Sequence, residues 1–324
     1  MEERNIVNHG DDYWLVLLLL LEMEAEKRAS DQVQQFEKDL IYKNRFSSKH
    51  EVVDTIHKHE NESALVIPPG KTYYRARIFK DYSIEKLAKY YLKEIGKTDQ
   101  EIKETLKSLD TDQIEKTMSK ALLLPNNDHQ QTINSDQAAI IQAQKKWKKN
   151  VRFKGYGPSE STAPEPDKIT NGRANPDHIR YLYVCEDAET PLYEVRPIIG
   201  DHVSVARFKL DKEVRLYDLT LQMDTPVSDT NHASSKLFDA IGAMFSRPFN
   251  GDPAKYIATQ FLAEEIKNMG FDGLRFNSSL NIGGVNVVLF DPDVCKAVSS
   301  ELIEIKGIHI EKDEALIYKI GLEK

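Results

Sequence analysis

The stretch Gly172–Pro197, GRANPDHIRYLYVCEDAETPLYEVRP, places a cation, a tyrosine and a carboxylate in one turn–strand–helix sequence. GRANP is turn chemistry: Gly172 tolerates unusual φ, and Pro176 pushes Asn175 out of the α region. Tyr181-Leu182-Tyr183-Val184-Cys185 is aromatic and apolar and reads as a buried strand. Thr190-Pro191 reads as an N-cap followed by proline at the first helical position. Glu194 then falls in the first turn or just past it, near the positive end of the helix dipole. Taken singly, Arg173 has the ordinary reading of a solvated cation beside a turn, and Glu194 that of electrostatic dressing at a helix start.

Outward from this stretch the chain reads as a mixture of strands and helices. Gly155–Asn171, rich in Gly, Pro, Ser and Thr, is a loop that delivers the chain into GRANP. Lys71–Phe79 (KTYYRARIF) alternates and reads as a strand, with Arg75 and Arg77 two apart and therefore on one side. Such a pair can grip a pyrophosphate, or equally form cross-strand salt bridges. Downstream, His202–Leu210 and Val214–Leu219 read as strands and Ser234–Phe245 as a helix. Pro253–Met269 is a second helix, stopped by Gly270, with Tyr256, Gln260 and Glu264 along one face. Phe271–Asn277 and Val285–Phe290 are further strands, and Leu302–Ile310 with Ala315–Ile320 reads as an added hairpin.

Upstream, Asp12–Tyr42 is helical, and Val33, Phe36, Leu40 and Ile41 form one apolar face. The run Trp14–Leu21 (WLVLLLLL) is too short for a membrane span and lacks signal-peptide flanks, so it reads as a buried helix, with membrane-interface burial second. A short helix covers Glu51–His59, preceded by Arg45 and His50, whose spacing weakly resembles the RNase motif of HEPN domains. A basic helix end followed by a solvated turn accounts for the same residues. Pro68-Pro69-Gly70 marks a boundary. This predicts an accessory helical segment over 1–70 and the main domain over 71–324. A charged helical insertion at about 82–150 carries apolar faces at Leu87–Ile95, Ile102–Leu109, Ile114–Leu122 and Ala138–Trp147. It ends in the basic, aromatic-interleaved cluster Lys145–Lys154, read as a solvated helix end before a phosphate or nucleic-acid contact.

Bulk properties narrow the function classes. The 324 residues are 40% hydrophobic and 30% charged, ample for a large core. A net charge of −8 speaks against a general nucleic-acid binder. Two cysteines, Cys185 and Cys295, make neither a disulfide framework nor a metal site, which points to a reducing, cytoplasmic setting.

Several ordered motifs together resemble the RES-domain family. They are GRANP with LYVCEDAETPLYEVRP, the opening strand Tyr73-Tyr74-Arg75-Ala76-Arg77, the helix Tyr256–Glu264 (YIATQFLAE), and Phe271–Ser279 (FDGLRFNSS) followed by Asn286–Phe290 (NVVLF). The resemblance runs from about Thr72 to Pro292. It implies an α+β fold, an ADP-ribosyltransferase-like mixed β core, here with a helical N-terminal segment and a helical insertion. It also implies an enzyme that cleaves the nicotinamide–ribose bond of NAD+ as glycohydrolase or phosphorylase, depleting NAD+ as a toxin or antiviral effector. That chemistry needs a pyrophosphate anchor, an aromatic surface for nicotinamide, and a carboxylate beside an oxocarbenium-like ribose.

The resemblance assigns these roles to Arg173, Tyr183 and Glu194. It adds Arg75 and Tyr74 in the opening strand and Ser278 near the site; Asn286 is a further candidate substrate contact. No metal and no resident cofactor are expected, NAD+ being the substrate. Expected partners are NAD+, inorganic phosphate, an antitoxin or other regulatory protein, and in one reading a second copy of the chain as homo-oligomer; no membrane is expected. Two other readings stand beside this one. One is ADP-ribosyl transfer to a macromolecule. The other is a non-catalytic nucleotide-binding module with its activity in the helical segments.

Overall fold

In the computed structural model, the described residues are 9–46, 49–79, 98–107, 152–223, 225–248 and 252–308. The N-terminal part supplies α1 (His9–Tyr42), α2 (Glu51–Lys58), β1 (Ala64–Ile67) and β2 (Thr72–Ile78). Then come α3 (Asp99–Lys107), the one-turn α4 (Pro158–Ser161), β3 (Leu182–Cys185) and the one-turn α5 (Thr190–Glu194). The C-terminal part supplies β4 (His202–Leu210), β5 (Val214–Asp218), α6 (His232–Phe245), α7 (Ile257–Asn268), β6 (Gly273–Asn277), β7 (Val285–Leu289) and β8 (Cys295–Glu304). The fold class is α+β, with an eight-stranded mixed sheet in the order β1-β5-β6-β7-β3-β2-β4-β8. β5 and β6 run parallel, whereas β1/β5, β6/β7, β7/β3 and β3/β2 are antiparallel.

The chain divides into two compact units. The larger comprises residues up to Arg75, Gly157–Glu194 and Ala206–Ser299. Its sheet has an apolar layer on each face, as period-2 alternation dictates. On one face α6 and α7 bury Leu237, Phe238, Ile241, Phe245, Leu262 and Ile266 against Tyr217, Leu274, Phe276 and Val288. The same cluster takes in Ala29, Val33, Phe36 and Leu40 of α1 and Val52, Val53 and Ile56 of α2. On the other face lie Tyr73, Leu182, Val184, Phe208, Leu216, Val287 and Leu289.

The smaller unit comprises Ala76–Tyr156, Val195–Val205 and the chain from Ser300 onward. There Tyr156 is the hub: its ring packs at a tilt against Phe79 at 4.8 Å and lies under Arg77 at 5.3 Å. Its carbonyl accepts from Ser300 Oγ and its amide donates to Ser204 Oγ, both at 2.9 Å.

Three expectations change. Trp14–Leu21 is not buried within this chain: Trp14 is 62% exposed and Leu19 55%. The reason is position, because α1 meets α6 from Glu22 onward, where Glu22 pairs with Lys236, and the apolar run lies before that point. β1, a four-residue ALVI strand, was hidden in what reads as a helix end and boundary, and it pairs with β5. β8 is one ten-residue strand beginning at Cys295, earlier than the expected hairpin. The hairpin's second strand, Ala315–Ile320, lies outside the described residues. So do the insertion helices at Leu87–Ile95, Ile114–Leu122 and Ala138–Trp147 and most of the basic cluster Lys145–Lys154, whereas α3 coincides with the expected Ile102–Leu109 segment. No helix among the described residues is long and apolar enough to cross a membrane.

Candidate active site

The site is built on one row of the sheet. Tyr74 of β2 lies opposite Cys185 of β3, Cys185 opposite Asn286 of β7, and Asn286 opposite Phe276 of β6. Residues directly opposite on neighbouring strands project from the same face. Tyr183, two residues before Cys185, shares that face.

The GRANP turn is fastened above this row. Gly172 N–H donates to the Asn175 carbonyl at 2.8 Å, closing the turn. The Tyr183 hydroxyl donates to Asn175 Oδ1 at 2.7 Å and accepts from Ala174 N–H at 2.9 Å. Burial above all pushes this hydroxyl's pKa up, against the opposing pull of the Ala174 N–H and the Arg173 charge, so it stays a protonated donor. Helix α7 clamps the turn from the other side. Thr259 Oγ1 donates to the Arg173 carbonyl at 2.6 Å, and Gln260 Nε2 to the carbonyls of Gly172 and Asn175 at 2.8 and 3.0 Å. One turn later Glu264 accepts from the Tyr181 hydroxyl at 2.5 Å. The polar face of α7 therefore locks GRANP onto β3.

Arg173 is held by geometry as well as charge. Its guanidinium donates to the carbonyls of Arg247 at 2.5 Å and Met244 at 3.5 Å, at the C-terminal end of α6, where the helix dipole favours a cation. It lies 5.7 Å from the Tyr256 ring and 5.8 Å from the Phe276 ring.

Glu194 closes α5. Its Oε1 accepts from Ser278 Oγ at 2.7 Å and from Asn286 Nδ2 at 2.8 Å. The carboxylate is exposed, yet its direction is set by these two donors and not by the start of a helix. The cap of α5 is Asp187 and not the expected Thr190, because Asp187 Oδ1 accepts from the amides of Glu189 and Thr190 at 2.8 and 2.7 Å. Burial disfavours the charge on Asp187, but the hydrogen bonds from Thr190 and Glu189 outweigh it and hold the carboxyl below its usual range.

Cys185 donates to Asn286 Oδ1 at 3.2 Å. Burial first, then the nearby charges of Glu194 and Asp187, push its thiol well up against the pull of Arg75, so it is no nucleophile at neutral pH. Below the row, Arg275 forms a bidentate pair with Glu186 at 2.9 and 3.1 Å and reaches Asp218 at 2.7 Å.

The structure thus gathers Arg173, Tyr183, Glu194, Ser278, Asn286 and Tyr74 on one face. Arg75 is set differently: its Nη1 donates to the carbonyls of Ser161 and Thr162 at 2.5 and 2.7 Å, so part of its fork fastens the α4 loop. Sequence reading missed the clamping role of Thr259 and Gln260, although the i, i+4, i+8 stripe Tyr256, Gln260, Glu264 was its signal. Phe276 under Arg173 had no such signal. His50 caps α2, accepting from Val52 N–H through Nδ1 at 3.2 Å, which is the structural alternative to the Arg45/His50 nuclease motif. Among the described residues no cluster of three or more His, Cys, Asp or Glu could hold a metal ion.

Comparison with known families decides the lineage. The RES domain model matches residues 141–307. The chain belongs to the RES domain family. That match spans the GRANP turn, β3, α5, α7, β6 and β7, the elements that carry the site apart from Tyr74 of β2. Among solved structures, the chain is similar to one from the crystal structure of the M. tuberculosis MbcT–MbcA toxin–antitoxin complex. It is 11% identical and covers 80% of this chain and 94% of that one, with a TM-score of 0.36. No curated protein matches the chain significantly.

Proposed function

We propose that this RES-domain protein cleaves the nicotinamide–ribose bond of NAD+, with water or inorganic phosphate as acceptor. The observation that carries the reading is the exposed Glu194 carboxylate, oriented through Oε1 by Ser278 and Asn286, on the same sheet face as Arg173 and Tyr183. As the bond breaks, its electron pair leaves with the nicotinamide nitrogen, and positive charge grows on the ribose. A fixed carboxylate stabilises that charge with no reorganisation at the moment of reaction. The half-buried Tyr183 ring offers the aromatic surface, its hydroxyl already engaged in holding the turn. Arg173, anchored at the end of α6, supplies the charge for the pyrophosphate. Addition of water to C1′ releases a proton and gives ADP-ribose; addition of phosphate gives the 1-phosphorylated sugar.

In this reading NAD+ is a consumed substrate and not a resident cofactor. Depletion of the cytoplasmic pool makes the protein a toxin, held in check by an antitoxin-type partner that covers the cleft. The test is incubation of the full chain with NAD+, with and without inorganic phosphate, followed by product separation. Nicotinamide release is expected in at least one condition, and the second product names the acceptor. NAD+ left intact in both would overturn the reading.

A further inference from the structure

The family match begins at residue 141, yet one pocket that meets Arg173 is walled by α1, which lies entirely outside that match. The pocket holds about 370 Å³. From α1 come Lys38 and Tyr42; from the facing wall come Arg173, Arg247, Lys255 and Tyr256. Glu37 and Asp252 are the two carboxylates of the lining, so the four cations leave two positive charges in excess, within a chain whose net charge is −8. Both carboxylates are already occupied. Glu37 pairs with Arg247 at 2.8 Å, and Asp252 accepts from the Ala254 amide at 3.0 Å. Lys38 and Lys255 make no ion pair among the described residues. A local positive concavity attracts anions that the acidic remainder of the surface repels.

The pocket shares Arg173 with the candidate site. Arg173 lies over Phe276, Phe276 is opposite Asn286, and Asn286 holds Glu194. A dinucleotide whose ribosyl bond lies at Glu194 and whose pyrophosphate lies on Arg173 directs its other half toward Lys38 and Lys255, which line the pocket beside Arg173. Tyr42, 81% exposed, supplies a flat apolar surface suited to a purine.

We infer that α1 completes a subsite for the adenylate half of the substrate, with phosphoryl oxygens on Lys38 and Lys255 and the base against tyrosine. The inference rests on the NAD+ reading for its substrate but makes its own claim about a nucleotide site. It gives the N-terminal helix a positioning and specificity role that the RES match alone does not supply.

The probe is ADP, which carries the adenylate half and no scissile bond. Calorimetric titration of the full chain should show binding, and Lys38→Ala with Lys255→Ala should weaken it by about tenfold or more, the loss of two charge-assisted contacts. Lys38→Arg with Lys255→Arg should restore most of the affinity. Both lysines lie at the surface, so an unchanged thermal midpoint separates a binding defect from a folding one. No ADP binding by the wild type, or equal affinity in the double alanine variant, overturns the inference. The two readings fail separately. Lysine-dependent ADP binding without nicotinamide release keeps the pocket and sinks the cleavage reading. Nicotinamide release with lysine-independent ADP binding does the reverse.

Discussion

Gly172 shows how tightly single residues constrain the site. A Cβ at this position would lie 2.6 Å from Asn175 Oδ1 and 2.9 Å from the Tyr183 hydroxyl oxygen, both shorter than van der Waals contact allows. Those two atoms are hydrogen-bonded to each other, so neither can yield without opening the turn that carries Arg173. Gly172→Ala should lower stability by about 1–3 kcal/mol, the usual effect of overpacking. It should cut nicotinamide release more than tenfold, because a displacement of about 1 Å can reduce a rate roughly a hundredfold. Thermal unfolding and a nicotinamide assay on the same preparation check both, and wild-type activity would show that the turn tolerates the methyl group. Below the row, Arg275 stands between Glu186 and Asp218, whose side chain is only 7% exposed. Burial opposes its charge, but the pair with Glu186 and the charge of Asp218 raise its pKa, so it remains a cation that these carboxylates need.

At the scale of elements, the helix α2 depends on the neutral form of one histidine. His50 Nδ1 accepts from Val52 N–H, a bond that a protonated nitrogen cannot make. Burial first of all lowers the His50 pKa below its ordinary 6.5, against the opposing charges of Asp39, Glu51 and Asp54. Because the folded pKa lies below the unfolded one, the unfolded chain binds more protons between them. The contribution of His50 is therefore fully present above pH 6.5 and is lost as pH falls toward the folded value. His50→Asn, a good cap that does not titrate, should flatten the acid side of the stability–pH curve between about 7 and 5 relative to wild type. Identical curves for the two proteins would remove His50 as the cause.

Elements carrying strong local patterns were legible in the sequence. The aromatic strand β3, the alternating β2 and the glycine-stopped α7 follow from periodicity and turn chemistry, and Gly270 indeed adopts φ 87°. What was not legible depended on tertiary neighbours. ALVI is too short to declare itself a strand before β5 pairs with it. The apolar Trp14–Leu21 run reads as buried until α6 is seen to end short of it. The Asp187 cap competes with an equally good Thr190 signal, and only the fold shows which oxygen reaches the amides. Within the site, residue types and order were readable, whereas the fastening of Arg173 to the end of α6 needed the chain in three dimensions.

At the scale of the whole molecule, the larger unit combines elements inside and outside the RES match. β1, β2, α1 and α2 precede residue 141, yet β1 is the edge strand of the sheet, and α1 and α2 share the apolar cluster with α6 and α7. The N-terminal segment is therefore part of the body that holds the site. Although the chain is acidic, the pocket between α1 and Arg173 is lined by four cations and two carboxylates. In the proposed reaction Glu194, held by Ser278 and Asn286, is the group that stabilises the breaking bond. The most direct measurement is the rate of nicotinamide release from saturating NAD+ by wild type and by Glu194→Gln, which keeps the size of the side chain and an oxygen able to accept from Ser278 and Asn286. The account predicts release by the wild type and at least a hundredfold slower release by the variant, at unchanged thermal midpoint, a loss of about 2.7 kcal/mol of transition-state stabilisation. Equal rates in the two proteins would contradict it.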